Sequence, residues 1–205
     1  MKHPKFQRRA EDRPREICSA ALDIFSEKGF AAAKLDEIGR RAGVSKGTLY
    51  LYFKDKEDLF RAVVRDTVAP NIDTISTLIE SADLPFADGV RMLLARFAFI
   101  TTQVRVGAVA KMVIGESRNF PELAKVWHDE VVSKALGMIA GLIERAQARG
   151  EVRPGDPRLH AFTLMGPMMM GVLWCETLQP AGGAPLDLEA LAKQHAEAVL
   201  AGLLK

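Results

Sequence analysis

The chain has 205 residues, 48% of them apolar and 26% charged, with a formal net charge of +2. That composition excludes a disordered chain, which carries too few apolar residues to build a core. It also offers no uninterrupted apolar run of the length a membrane span needs, since the richest stretch, 162–178, is broken by Gly166, Pro167 and Glu176.

Cys18 and Cys175 are too few for a disulfide scaffold and lack metal-ligand spacing, so two free, packed thiols are expected. The N-terminus is basic, but no apolar core follows it. No secretory signal is therefore expected, and a cytoplasmic location follows by default. Up to residue 56 there are thirteen basic residues against eight acidic ones, so the remainder is acidic. A basic N-terminal part suggests a local anionic partner, although a solvated charged face has the same composition.

Strand signals are nearly absent and helical periodicity recurs. Ile17, Ala20, Ala21, Ile24 and Phe25 fall on one stripe of a first helix, with Pro14 in its first turn and Gly29 at its C-terminal cap. A short helix over about 35–42 and another over about 46–53 follow, separated by Gly43-Val44-Ser45. Ser45 is placed to cap the second of these, and Asp55 to cap the next. That fourth helix reaches towards Glu80, with a kink or break expected at Pro70. A loop over 81–85 leads to a helix over about 86–105, which turns Val90, Leu93, Leu94 and Phe97 to one face. A shorter helix covers 107–116 and a long one runs from about 119 to 149. Asp156-Pro157 starts a helix to about 178. A Pro/Gly-rich loop and a last helix over about 187–203 complete the chain. The fold class is all-α, with about nine helices: three small ones, a long connector and five that can pack as a bundle.

Residues 35–57 place two short helices around a tight glycine-containing turn, the helix-turn-helix layout. Leu35, Ile38 and Ala42 face inward from the first, and Val44, Leu49 and Phe53 from the second. Lys46, Gly47, Thr48, Tyr50, Tyr52 and Lys54 are left outward, rich in donors and poor in apolar bulk. A helix of this size fits the major groove. Lys46 and Thr48 are candidates for base edges. Tyr50, Tyr52 and Lys56 are candidates for sugar and phosphate, and Gly47 permits close approach of the backbone. From the residues alone, an ordinary helical hairpin with a wet polar face remains open.

The ordered motifs Ala20-Ala21-Leu22-Asp23-Ile24-Phe25, Gly29-Phe30, Asp36-Glu37-Ile38, Ala42-Gly43-Val44-Ser45-Lys46-Gly47-Thr48-Leu49-Tyr50, Tyr52-Phe53 and Lys54-Asp55-Lys56-Glu57-Asp58-Leu59 resemble the N-terminal domain of TetR/AcrR-type regulators over about residues 14–62. The resemblance implies a three-helix DNA-binding domain read through its third helix and a homodimer on a palindromic double-stranded operator. It also implies release when a small molecule binds the larger domain, and DNA contacts at Thr48, Tyr50, Tyr52 and Lys56. One departure stands out. Where the family has a capping Thr or Ser before the second helix, this chain has Ala33-Lys34, so the cap is lost and Lys34 is left to meet a phosphate by charge. Residues 1–13 resemble the basic arms of some members, with a solvated tail as the alternative.

Residues 63–205 are then the ligand-binding and dimerisation domain. Phe97, Thr101, Met112, Phe120, Trp127, Met138 and Met165 are candidate pocket residues, against the alternative that they are plain core. Arg105, Gln103 and His128 are candidate polar groups. Such a lining suits an apolar or aromatic effector of unknown identity. Phe162, Met169, Leu173, Trp174, Leu191, Ala198, Val199 and Gly202 are candidates for the dimer interface by similarity to the family's final helix pair.

An enzyme is not expected. The four histidines are scattered and there is no phosphate loop or serine elbow. The consecutive His128-Asp129-Glu130 point in different directions on a helix. No catalytic residue, metal ligand, cofactor or membrane partner is assigned. A regulator without an effector, or an activator, remains the alternative.

Overall fold

The computed structural model describes residues 12–81, 84–103 and 105–205. Most of the expected basic arm, residues 1–11, and residues 82 and 83 of the expected loop lie outside the described residues. Among the described residues there are nine helices and no strand, apart from a single bridge between Val152 and Leu204.

Helix α1 spans Arg13–Ala32 and buries Ile17, Ala20, Ala21, Ile24 and Phe25. Its regular part ends where Gly29 adopts φ 80°, a left-handed backbone that glycine takes without a Cβ penalty. Beyond it, Phe30 turns fully into the core. Helix α2, Leu35–Ala42, carries Asp36 and Glu37 in its first turn and Arg40 and Arg41 in its last, which complements its dipole. Lys34 precedes it without a side-chain cap. Gly43, at φ 68° and ψ 30°, closes α2 and its N–H donates to the Arg40 carbonyl at 3.2 Å.

Helix α3 is Lys46–Tyr52, and its N-cap Ser45 Oγ accepts from the Thr48 N–H at 3.1 Å. Helix α4 follows directly. Asp55 accepts from the Asp58 N–H at 2.8 Å, while Asp58 accepts from the Lys54 N–H at 3.0 Å. The two satisfy each other's end of the turn.

Helix α4 continues over 56–81, as Lys56–Val63, a π turn at Val64–Val68 and then Ala69–Ser81. The sequence predicts a kink or break at Pro70, yet the helical path is maintained. The Ala69 N–H reaches back five residues to the Val64 carbonyl. This wider turn just before the proline makes room for a ring that would otherwise strike the preceding turn.

The remaining helices are α5 (Phe86–Gln103), α6 (Val106–Glu116), α7 over 121–148, α8 over 157–178 and α9 (Leu188–Leu203). Helices α7 and α8 each contain a π turn, His128–Val132 and Trp174–Leu178. Asp156 caps α8 as the sequence predicts, and Asp187 caps α9.

Helix α1 packs on α2, α4 and α6, α7 packs on α8, and α9 packs on α5. Helix α8 is long and apolar enough to cross a membrane by length and composition alone, with a mean hydropathy of 1.2. Only 28% of its apolar window is buried, so much of that surface lacks a cover within the chain. Both cysteines are free. Burial pushes the Cys18 thiol up to about 12, which keeps it protonated and inert.

Candidate nucleic-acid interface and ligand cavity

Leu49 is fully buried and Phe53 nearly so, which fixes how α3 rolls against the head, the unit from α1 to the first half of α4. Leu35 and Val44 are partly buried against the same core as Ile38 and Ala42. The opposite face of α3 is open to solvent. Lys46, Gly47, Tyr50 and Tyr52 are exposed and Thr48 is partly so. Thr48 Oγ1 shares a hydrogen bond with Ser45 Oγ at 2.9 Å. Lys46 pairs with Asp36 at 3.0 Å, and this hydrogen bond holds its ammonium above the ordinary lysine range. Pairs this exposed are weak and exchange readily for a phosphate or a base edge. Lys34 and Lys54 are both exposed.

Leu51 is assigned to neither face by the sequence reading. It is 82% exposed, the most open large apolar side chain among the described residues.

Lys56 departs from its expected place. Its ammonium donates to the carbonyls of Phe30 (2.7 Å), Ala31 (3.2 Å) and Ala33 (3.2 Å), which uses all three of its protons. It also lies 4.5 Å from the centroid of the Phe30 ring. Burial lowers its pKa. Lys56 therefore holds the turn after α1 and is not presented to a phosphate.

The amide side of the same turn is held from α6. The Glu116 carboxylate, at the end of α6, accepts from the Phe30 N–H at 2.8 Å and the Ala31 N–H at 2.6 Å. Phe30 sits among Phe25 (5.5 Å), Phe60 (5.9 Å) and Phe120 (5.0 Å), so rings from α1, α4 and the α6–α7 junction share one cluster. The sequence reading misses the role of Glu116, because its partners lie 85 and 86 residues away along the chain.

Behind the head lies a cavity of about 150 Å³. Helix α4 contributes Val68, Asn71, Ile72 and Ile75, and α5 contributes Leu93, Phe97, Ile100 and Thr101. Trp127, Val131, Val132, Met138 and Ile139 come from α7, and Met165 and Met169 from α8. The wall includes parts of two π turns, Val68 on α4 and Val131 and Val132 on α7.

Five of the expected pocket residues, Phe97, Thr101, Trp127, Met138 and Met165, are brought together here. Two are not. Met112 is packed in the core on α6, and Phe120 is taken up by Phe30. None of the expected polar groups lines the wall. Arg105 lies 3.7 Å from Asp23, His128 pairs with Asp129 at 2.9 Å, and Gln103 is exposed. The polar members of the wall are Asn71 and Thr101. Both donate to nearby backbone carbonyls, Val68 at 3.3 Å and Ala98 at 2.8 Å.

The candidate dimer residues also divide. Phe162 is 59% exposed, and Leu159 and Met170 are comparably open, so α8 carries an apolar stripe at 159, 162, 166 and 170. Ala198 and Gly202 are exposed on α9. Val199, by contrast, is buried within the chain, and Met169 faces the cavity. Leu191 packs beside Gly171, and Trp174 donates to the Ala184 carbonyl at 2.9 Å. Both are occupied inside the chain, and Leu173 is half-buried.

A capped, exposed helix held by a helix-turn-helix, joined to an all-helical body with an apolar cavity, defines a DNA-binding regulator of transcription. Residues 17–63 match the model of bacterial regulatory proteins of the tetR family, and residues 86–187 match the tetracyclin repressor-like C-terminal domain. The chain belongs to the TetR family.

It is 29% identical over 186 residues to the HTH-type transcriptional regulator YhgD of Bacillus subtilis (strain 168), covering 88% of this chain and 91% of that one. Two solved structures share the fold. FadR of Bacillus subtilis in complex with stearoyl-CoA has a TM-score of 0.76 at 22% identity, covering 92% of this chain and 98% of that one. The complex of SmeT, a Stenotrophomonas maltophilia repressor, with triclosan has a TM-score of 0.74 at 24% identity, covering 94% and 92%.

Proposed function

We propose that the protein is a ligand-responsive repressor. It binds a palindromic operator as a homodimer in the cytoplasm and is released by a small apolar or aromatic effector. The observation that carries this reading is one helix with two duties. The N-terminal half of α4 packs on α1 and carries Lys56 and Phe60, and its C-terminal half forms a wall of the cavity. A ligand that favours one position of α4 thereby favours one position of the head.

The cavity wall supports the chemistry of the effector. Apolar cavities near 150 Å³ stay dry and accept a single aromatic ring in other proteins. Among the described residues, none that lines the cavity is charged, so none stands ready to receive an ionised group. Triclosan in SmeT and the acyl chain of stearoyl-CoA in FadR are consistent precedents for apolar groups held in this fold, and the ring is the better match to the size found here. A fully packed body would have favoured a regulator without an effector.

The uncovered stripe on α8 supports self-association through α8 and α9. A pair of reading helices one DNA turn apart is what a palindrome requires. The test is operator affinity with and without saturating neutral one- and two-ring aromatics, repeated on Ala135→Leu, which places bulk in the cavity because Ala135 of α7 also lines it. The native chain is expected to lose operator affinity by about tenfold or more, and the filled variant to keep it. Unchanged affinity with every compound would leave a DNA-binding regulator and reject the effector.

A further inference from the structure

The roll of α3 is fixed by Leu49, the one fully buried residue in its span. At about 100° per residue, Thr48 and Tyr50 fall on the two flanks, and Lys46 and Tyr52 lean back towards the body. Gly47 and Leu51, four residues apart, straddle the line opposite Leu49. Exposure follows that order, with Leu51 at 82%, Tyr50 at 48% and Tyr52 at 38%. The crest of the reading helix is therefore a bare glycine followed, one turn on, by an isobutyl group. A Cβ placed on Gly47 would meet only Ser45 Oγ, at 3.8 Å, so the surface ahead of Leu51 is smooth.

A single exposed leucine is ordinary on a protein surface. Its position here gives it meaning. When a helix lies in the major groove its flanks face the phosphate walls and its crest faces the base edges. Leucine neither donates nor accepts hydrogen bonds, so it cannot read the polar pattern of those edges. The major groove offers one apolar group, the C5-methyl of thymine. Set over an adenine, guanine or cytosine edge, Leu51 would strip water from a donor or acceptor and return nothing.

We infer that Leu51 is a specificity-determining residue that packs on a thymine methyl, one in each half of the operator. This rests on the DNA-binding reading above and adds the identity of a base within it. Burying one methyl is worth about a fourfold change in affinity per half-site, and so roughly fifteenfold for a dimer.

The experiment removes the methyl and nothing else. Operators are selected from a random duplex library with the full chain, and each symmetry-related pair of thymines is replaced by deoxyuridine. One pair is expected to weaken binding by roughly fifteenfold in the native chain. The same replacement is expected to change nothing in Leu51→Ala, whose exposed site and helix-favouring alanine leave the fold intact. An operator in which every thymine tolerates demethylation, or in which Leu51→Ala suffers the same loss, overturns the inference while the DNA-binding reading stands. Recovery of no duplex at all overturns both.

Discussion

The phenylalanine cluster of the head and the phenylalanine at the cavity wall are buried differently. In the head, Phe25, Phe30 and Phe60 are at most 1% exposed, and their ring centroids lie 5.5 to 6.0 Å apart, with Phe60 meeting the other two edge to face and Phe25 and Phe30 tilted at 31°. In the body, Phe97 is half-buried and stands at the wall of a space it does not fill. A filled cluster resists deformation and passes a displacement on to its neighbours. An unfilled one has lost contacts that a guest can restore. The two share helix α4, so one interior is built to receive and the other to transmit.

Single truncations should separate the two interiors. Phe30→Ala is expected to cost about 3–5 kcal/mol of stability, because the surrounding rings cannot collapse into the gap. Phe97→Ala removes the same atoms from a site with fewer contacts and is expected to cost less than half of that, about 1–2 kcal/mol. Urea unfolding of the full-length variants reads both. Equal losses would break the distinction between filled and unfilled cores. A loss for Phe97→Ala that grows in the presence of a bound aromatic would sharpen it.

The second test concerns the join. Glu116 accepts two backbone N–H groups of the head from the far end of α6. Glu116→Gln keeps one acceptor and turns an amide donor towards the other N–H. It is expected to lower stability by about 1–2 kcal/mol. Because the contact crosses from body to head, the variant should also reduce the factor by which ligand weakens operator binding. The same factor must appear when ligand affinity is measured with and without operator. A variant with native coupling would place transmission wholly in α4.

The two interiors were unequally legible in the sequence. Ser45, Asp55 and Asp156 could be assigned as caps because a cap is a local bargain between one side chain and amides two or three residues on. Gly43 announced its turn for the same reason. The cavity announced nothing. Met112 and Met138 are the same residue type at similar helical spacing, yet one is core and the other is wall. What separates them is the distance between facing helices, which no single helix encodes. Phe120 was drawn to the wrong interior because Phe30, its partner, lies far back along the chain. Leu51 sits in the run Leu49-Tyr50-Leu51-Tyr52-Phe53, where bulky apolar or aromatic side chains occur at every position. Only the burial of Leu49 and Phe53 shows which of them faces out.

The smallest effect concerns two lysines two residues apart. Lys54 is exposed beside the reading helix, whereas Lys56 spends its three protons on the carbonyls of the turn that carries Phe30. If Lys54 meets a phosphate in each half of a dimeric complex, Lys54→Ala removes two contacts and lowers the slope of log affinity against log salt by roughly two. Lys56→Ala is expected to leave that slope unchanged and to cost about 1 kcal/mol of stability, through the uncapped carbonyls. Its binding loss should then be the same at every salt concentration, because it arises from a loosened turn and not from a lost charge contact. The opposite pattern, a flattened slope for Lys56→Ala at native stability, would show that the lysine leaves its carbonyls for the operator and that the head reshapes itself on DNA.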